Sequence, residues 1–598
     1  MTENLLIGLA SIIILGILGQ WISWYFKIPS ILLLLFFGFL VGPISGILNP
    51  DHFFGDLLFP FVSISVAIIL FEGGLSLKLN ELKSVFGVVR NLISIGTITT
   101  WSLTTLSAYY LINLSLGLSL LLGAILVVTG PTVIMPLLRL VKPKGEINSI
   151  LKWEGIVNDP IGAILALLVF ETIISAGVKE ATFTAILVIF KTVIFSCSIG
   201  LAGAYLLVYL IKKDFIPDYL QNPATLATLA LVFAASNTIQ SESGLFSVTI
   251  MGIYLANQKK IVVEHIIEFK ENLGVLLLSA LFIVLAARLQ ISDLEQINSG
   301  TILFIVTLIF IVRPLTILIS TFGSKLTWKE KIYLSWMAPR GIVAAAVISI
   351  FSIELIHYGY DEAAVLVPIM FLVIIATILI YGLSAIPLAR ILGLSDPNPQ
   401  GILIAGINDF TIEIQKVLKK FDIRVLLVDK NWEKVTGARL KGVESCFGSI
   451  VSEKTLENIN LEGIGKFIAL TSNRGINSLS AIHHSKIFES ANVYQINTAP
   501  KPDLKMMKEL RGHFFSSENL IYHDIDHYEN NFILKANKLT SEFTFKDLVE
   551  RYDPKLFHPL FMINGENTLT IFSEKYSKEP EQGDTLVSLI FDPSSFQK

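Results

Sequence analysis

The chain has 598 residues, of which 53% are hydrophobic and 16% charged, with a formal net charge of −3. That balance excludes an ordinary soluble chain, and so small a net charge says nothing useful about partners. Two cysteines, Cys197 and Cys446, are too few for a disulfide framework.

The composition is uneven. From Leu5 to about Leu394 apolar runs alternate with short charged loops, whereas from Gly401 onward the chain reads as a soluble α/β protein. At about 20 apolar residues per crossing, thirteen membrane helices are predicted. They lie near 4–25, 30–48, 58–76, 86–111, 115–138, 150–172, 183–211, 222–240, 244–257, 270–288, 301–323, 331–353 and 363–390. The ninth is short, so twelve is the alternative. The first run follows Met-Thr-Glu-Asn, with no basic stretch or small-residue cleavage site, and reads as a membrane helix rather than a signal peptide. Alternate loops carry the cations Lys78, Lys83, Arg90, Lys212, Lys213, Lys259, Lys260, Lys325, Lys329 and Arg390. The other loops are marked by Asp51, Asp56, Glu171, Asp361 and Glu362. The positive-inside rule then puts the N-terminus outside and delivers the polar C-terminal half to the cytoplasm.

The sixth predicted helix contains Trp153-Glu154-Gly155-Ile156-Val157-Asn158-Asp159-Pro160. Each ionisable group at membrane depth costs about 2.5–3.5 kcal/mol on insertion scales, so these acids need a purpose. At helical spacing Glu154 and Asn158 are roughly 40° apart, and Glu154 and Asp159 about 140° apart. The two acids therefore face different neighbours. Pro160 lacks an N–H, which frees the carbonyl of Ile156 beside Asp159. Carboxylate and carbonyl oxygens suit a small hard cation, and a proton can compete for the same carboxylate.

The fifth helix is interrupted by Thr129-Gly130-Pro131-Thr132 and then Met135-Pro136, which predicts freed carbonyls at Val127 and Thr132. The twelfth is interrupted at Ala338-Pro339-Arg340-Gly341. Setting helices one to six against eight to thirteen makes these two breaks correspond, the pattern of a transporter site at a repeat interface. Arg340 needs an anion at that depth, and Glu154, turned away from Asp159, is the expected partner. Asp159 then faces the break at Thr129–Pro131. Glu72, in Phe71-Glu72-Gly73-Gly74, is either a cavity residue or interfacial. Arg313-Pro314 is expected to pair with Glu271 or Glu242, or to cap a helix.

The Asn158-Asp159 pair after Glu154, the Thr129-Gly130-Pro131-Thr132 break, the Phe71-Glu72-Gly73-Gly74 segment and the Pro339-Arg340-Gly341 break together resemble the monovalent cation:proton antiporter-1 family, which includes NhaP-type sodium/proton antiporters. The resemblance spans roughly residues 5–392. It implies a thirteen-helix fold of inverted repeats with a dimerisation domain and a six-helix core, working as a homodimer by an elevator-like motion. It further implies that Asp159 binds cation or proton, helped by Thr129, while Asn158 orients the site and Glu154 with Arg340 is structural. Many members have Asp where Gly130 stands, and Gly155 supplies no hydroxyl where some relatives place one.

Ser395-Asp396-Pro397-Asn398-Pro399-Gln400 reads as a hinge. Beyond it, apolar strand runs at Gly401–Gly406 and Arg424–Lys430 flank a helical pattern from Asp409 to Lys420. Further strands are expected at Lys466–Thr471 and Val493–Ile496. Gly406-Ile407-Asn408-Asp409-Phe410-Thr411 stands where a dinucleotide fold shows G-x-G-x-x-G, and only the first glycine is present. Asp429 ends the second strand, about 20 residues on, where an acid would meet a ribose. The stretch from Gly401 to about Asn497 resembles TrkA-N or RCK domains. If a regulatory nucleotide binds, the candidate residues are Gly406, Asn408 and Asp429; a fold retained for dimerisation alone is the alternative.

The resulting expectation is a polytopic α-helical membrane domain (1–392), a linker (393–400), a Rossmann-like domain (401–497) and a small α+β subdomain (498–598). The expected activity is electroneutral exchange of sodium or lithium for protons across the cell membrane by a homodimer. No required cofactor, no nucleic-acid partner and no enzymatic chemistry are expected. A potassium/proton antiporter or a nucleotide-gated potassium efflux system is the alternative, although no T-V-G-Y-G filter segment occurs.

Overall fold

A computed structural model describes residues 2–591 other than 27, 142, 175–177, 241, 262, 291–297, 396–398, 453–454, 457–458, 462, 499–511, 517–519, 528–531, 554–555, 566 and 574–578. The chain divides into two compact units, Met1–Ser395 and Asp396–Lys598.

The first unit is helical. It opens with α1 (Thr2–Phe26) and α2 (Ser30–Phe39), the short α3 (Pro50–Phe54), and α4 (Leu58–Leu75). Next, α5 (Leu79–Asn91) and α6 (Thr97–Ser107) form one rod, with π-helical turns at Leu92–Gly96 and Ala108–Ile112. α7 (Leu116–Ile125) and α8 (Pro131–Val141) are two halves of one crossing. They are followed by α9 (Ile147–Ile174), α10 (Val178–Lys212), α11 (Asp218–Ile239), α12 (Ser243–Asn257) and α13 (Glu264–Ala287). α14 (Ser299–Thr307) continues through a π turn at Leu308–Val312 into α15 (Arg313–Ser320). α16 (Trp328–Trp336) and α17 (Ile342–His357) are halves of a second broken crossing, and α18 (Leu366–Ile391) closes the unit. With each broken pair counted once, the thirteen expected segments all correspond to helices among the described residues. Among the described residues, seven helices are long and apolar enough to cross a membrane by themselves, and shorter apolar helices accompany them.

The fourth rod begins at Leu79 rather than 86, extended by an amphipathic turn whose Glu81 meets Lys152 of α9 at 3.3 Å. Close helix approach rests on small residues, as packing without a hydrophobic driving force requires. A Cβ on Gly38 would lie 2.5 Å from the Ile283 carbonyl oxygen, and one on Gly42 only 2.4 Å from Cα of Ala287. Pro160 does not interrupt α9, and Pro136 lies inside α8; only Pro131 marks a boundary, at the first helical position, where its missing N–H costs no hydrogen bond.

The stretch expected as a linker begins tied to the first unit. Lys144 N donates to Leu394 O at 2.7 Å and Ser395 Oγ to Val141 O at 2.6 Å. Its residues 396–398 lie outside the described residues, as do 499–511 of the expected C-terminal subdomain.

In the second unit, β1 (Gly401–Ala405), α19 (Asp409–Lys419), β2 (Val425–Asp429), α20 (Trp432–Leu440), β3 (Ser445–Phe447), β4 (Ile464–Ala469), α21 (Arg474–Phe488), β5 (Val493–Gln495) and β6 (His513–Phe514) build a parallel sheet. Its order, β3-β2-β1-β4-β5-β6, is doubly wound, with Ile402 paired to Val425 on one side and Lys466 on the other. β1 is buried on both faces, which accounts for its unbroken Gly-Ile-Leu-Ile-Ala run. After α22 (Tyr522–His527), β7 (Phe532–Lys538), α23 (Phe545–Glu550), β8 (Phe557–Ile563), β9 (Leu569–Ile571) and β10 (Thr585–Phe591) make an antiparallel sheet ordered β7-β10-β8-β9. The two sheets share one apolar core, in which Ile404, Phe410 and Leu427 join Leu560, Val587 and Leu589.

Candidate functional site

The two broken crossings meet. Gly130 N donates to Pro339 O at 3.0 Å, and a Cβ on Gly130 would lie 2.5 Å from Cα of Gly341. A Cβ on Gly341 would equally lie 2.5 Å from Cα of Gly130. Both glycines are therefore dictated by backbone-to-backbone contact, which leaves no room for an aspartate at 130 in this geometry. Helix α7 ends at Ile125 and α16 at Trp336, while α8 and α17 start just beyond the contact. The crossing thus brings together two carbonyl-rich helix ends and two N–H-rich helix starts.

The helix ends are capped by arginines. Arg340 Nη1 donates to Val128 O at 3.0 Å, beyond the end of α7. Arg313 Nε donates to Leu334 O at 3.1 Å and Nη2 to Met337 O at 2.9 Å, at the end of α16. A cation at a helix C-terminus is favourable, the more so out of water.

Glu154 corrects an expectation. Its carboxylate takes both arms of the Arg313 guanidinium, Nη2 to Oε2 at 3.0 Å and Nη1 to Oε1. The two side chains are 5% and 3% exposed, so the pair is fully desolvated. Arg340, expected to hold Glu154, instead caps α7, and Arg313 meets neither Glu242 nor Glu271 in this fork. Two-pronged geometry selects the guanidinium that reaches Glu154 side-on from α15. The sequence did single out Arg313 as a buried charge, but spacing cannot say which of three acids it meets.

Asp159 sits on the other side of α9. Gly155 and Gly162, one heptad apart, both touch the first break: a Cβ on Gly155 would be 3.6 Å from Cα of Pro131, and one on Gly162 would be 3.1 Å from N of Val128. Asn158 and Asp159 lie between them on the same face, at helical spacing i+3 and i+4. Asp159 is completely buried and Asn158 is 4% exposed. Neither carboxylate oxygen of Asp159 has a hydrogen-bond partner, and nor do Asn158 Oδ1, Thr129 Oγ1 and Thr132 Oγ1. Arg340 interacts with Asp159 electrostatically. The Thr132 hydroxyl belongs to the same break but was not singled out from the sequence; the repeated Thr in Thr-Gly-Pro-Thr is the signal that could have done so.

A small cavity reaches this region, lined by Thr129, Asn158, Glu154, Arg313 and Arg340 and by the hydroxyl-bearing Thr97, Thr100 and Thr316. Two π turns, Leu92–Gly96 and Leu308–Val312, border it through Leu92, Gly96 and Val312. They occupy the fourth and eleventh rods, which correspond in the two halves, and such turns recur at functional sites. Glu72 does not line this cavity. It lies in the last turn of α4 beside α13, where a Cβ on Gly274 would overlap its carboxylate, and Lys270 Nζ lies 5.3 Å from the neighbouring Phe71 ring.

Buried oxygen acceptors without donors cost about 1–3 kcal/mol each and persist where something else satisfies them. A carboxylate, an amide oxygen and hydroxyls form a donor set for a hard monovalent cation or a proton.

Residues 9–391 match the family described as sodium/hydrogen exchanger, transmembrane. The chain belongs to that family. Residues 402–503 also match the TrkA-N domain. Among similar proteins is Na(+)/H(+) antiporter 1 of Methanocaldococcus jannaschii, 28% identical over 381 residues, covering 58% of this chain and 83% of the relative. Another is the K(+)/H(+) antiporter NhaP of Alkalimonas amylolytica, 26% identical over 434 residues, covering 71% and 73%. The solved structure of the sodium proton antiporter MjNhaP1 from M. jannaschii at pH 8 matches with a TM-score of 0.58 and 25% identity, covering 65% of this chain and 99% of that one. This exchanger-family chain is a multi-pass membrane protein with a cation/proton antiporter fold.

In the second unit, Gly406 stands at the end of β1 with φ +104°. Asn408 caps α19, and Asp429 ends β2 with its carboxylate accepting from Ile407 N at 2.9 Å and Asn431 N at 2.8 Å. The three residues lie at one edge of the sheet, where Asn408 Oδ1 and both Asp429 oxygens accept hydrogen bonds from the protein's own backbone.

Proposed function

We propose that this exchanger-family protein exchanges cytoplasmic sodium or lithium for external protons, one for one, through Asp159. The observation that carries the reading is the fully buried Asp159 carboxylate with both oxygens unpartnered, beside the contact of two broken helices. One such carboxylate is neutralised equally by one proton or one monovalent cation, and returning it empty through hydrocarbon is disfavoured. Coupling follows from that penalty. Asn158 and Thr129 add oxygens, while Glu154 with Arg313 and Arg340 at the α7 end keep the broken helices in place. The homodimer, the external N-terminus, the inner-membrane location and regulation by the cytosolic unit belong to the same proposal.

Potassium as the cargo is the second reading, supported by the K(+)/H(+) antiporter among the relatives. Proton flux in reconstituted vesicles against sodium, lithium and potassium gradients separates the two. Asp159→Ala is expected to abolish exchange with every ion while leaving the protein folded in detergent. Exchange retained by that variant overturns the role of Asp159, and net charge movement during cation-driven proton flux overturns one-for-one stoichiometry.

A further inference from the structure

We infer that the cytosolic α/β unit is closed to dinucleotides by its own side chains, although its strand order is that of a dinucleotide fold. Each glycine of a G-x-G-x-x-G turn has its own task. The first makes the tight turn, the second lets backbone approach the pyrophosphate, and the third lets helix and strand pack closely. Here the first is kept as Gly406, whose φ is +104° and whose Cβ would lie 2.4 Å from the Leu470 carbonyl oxygen. The second and third positions are Asn408 and Thr411. The glycine the fold needs is present, and the one the ligand needs is not.

The replacements also use the groups a diphosphate would use. Asn408 Oδ1 accepts from Thr411 N at 2.9 Å, and the Thr411 hydroxyl accepts from Asn408 N at 3.0 Å, a reciprocal cap on the start of α19. Thr411 is fully buried, so this cap is locked under the helix. Asp409 follows in the first turn and adds a negative charge that disfavours a phosphate at this helix start; Lys441 meets it at 3.1 Å.

The same closure recurs along the carboxyl edge of the sheet. Asn431 caps α20, accepting from Glu433 N at 2.9 Å, and Asn473 caps α21, accepting from Ile476 N at 3.0 Å. Asp429, at the ribose position, has each oxygen bonded to a backbone N–H of the loops beside it. Three helix starts and one acid, the features by which a doubly wound sheet recognises a dinucleotide, thus each carry an internal side-chain to backbone hydrogen bond.

This inference goes beyond the antiport proposal and is tested separately from it. The full-length protein in detergent is titrated with radiolabelled NAD+ and ATP to millimolar concentration. It is then photolabelled with azido-adenine analogues of both, and the labelled peptides are mapped by mass spectrometry. The expected result is no saturable label within 406–411 or 429–432, whether or not label appears elsewhere. Saturable label in either segment, competed at least about tenfold by the parent nucleotide, overturns the inference.

Discussion

Two aspartates, Asp159 in the membrane unit and Asp429 in the α/β one, invite the same reading as ligand-binding acids and are treated by the fold in opposite ways. Both oxygens of Asp429 accept backbone N–H groups, whereas neither oxygen of Asp159 has a hydrogen-bond partner. Their surroundings repeat the contrast. Around Asp159, the oxygens of Asn158, Thr129 and Thr132 are buried and unpartnered, while in the α/β unit only His484 Nε2 and Ser588 Oγ are so among the described residues. An acid the protein has already satisfied is scaffold. An acid left unsatisfied at depth, where the penalty is greatest, is kept for something that comes and goes.

Glu154 tests that distinction most severely, because it lies five positions from Asp159 on the same helix and is fully paired. Arg313→Ala leaves a buried carboxylate uncompensated and is expected to cost about 3–5 kcal/mol, read as a large drop in melting temperature in detergent. Replacing both partners together, with Glu154→Leu and Arg313→Met, should recover most of that loss, since a well-packed apolar pair is often no worse than a buried ion pair. Equal destabilisation in the single and double variants would break the assignment of Glu154 as scaffold.

The crossing offers a second test, of the backbone rather than the charges. Gly130→Ala forces a methyl to 2.5 Å from Cα of Gly341, and overpacking of this kind costs about 1–3 kcal/mol. The expected outcome is a lower melting temperature together with reduced exchange, because the same contact aligns Thr129 and Thr132. A stable, fully active Gly130→Ala variant would show that the two breaks do not depend on each other.

How much of this was legible follows the same line. Apolar run length marked every membrane rod, and Gly-Pro pairs marked both breaks, because backbone that cannot continue a helix advertises itself locally. Pro136 and Pro160 show the limit of that signal: each sits inside a helix that continues past it. The Glu154 partner was not legible, since Arg313 and Arg340 are equally buried cations and only the approach of α15 decides between them. The strands β3 and β6 were missed because they are three and two residues long, too short for periodicity to register. The C-terminal sheet was expected only as part of a small α+β subdomain, and its shared core with the parallel sheet rests on pairings far apart in sequence.

The smallest effect concerns the exception in the α/β unit, His484. Its Nδ1 lies 2.9 Å from the Ser480 carbonyl oxygen and so carries the proton, its Nε2 has no partner, and its ring stacks on Phe467 at 4.0 Å. Burial lowers its pKa from 6.5 to about 4. A base whose folded pKa is depressed contributes stability that is complete above its unfolded pKa and is lost as pH falls from 6.5 toward 4. Between pH 7 and pH 5.5 the loss should be about 1 kcal/mol, seen as a falling melting temperature of the α/β unit. His484→Phe keeps the stack and removes the titrating ring, so that part of the slope should vanish. Unlike Asp159, this unpartnered atom sits against aromatic rings with no second polar group left open beside it, so acid should unfold it rather than load it. If His484→Phe leaves the pH slope unchanged, Nε2 is being satisfied in solution and the contrast between the two units narrows.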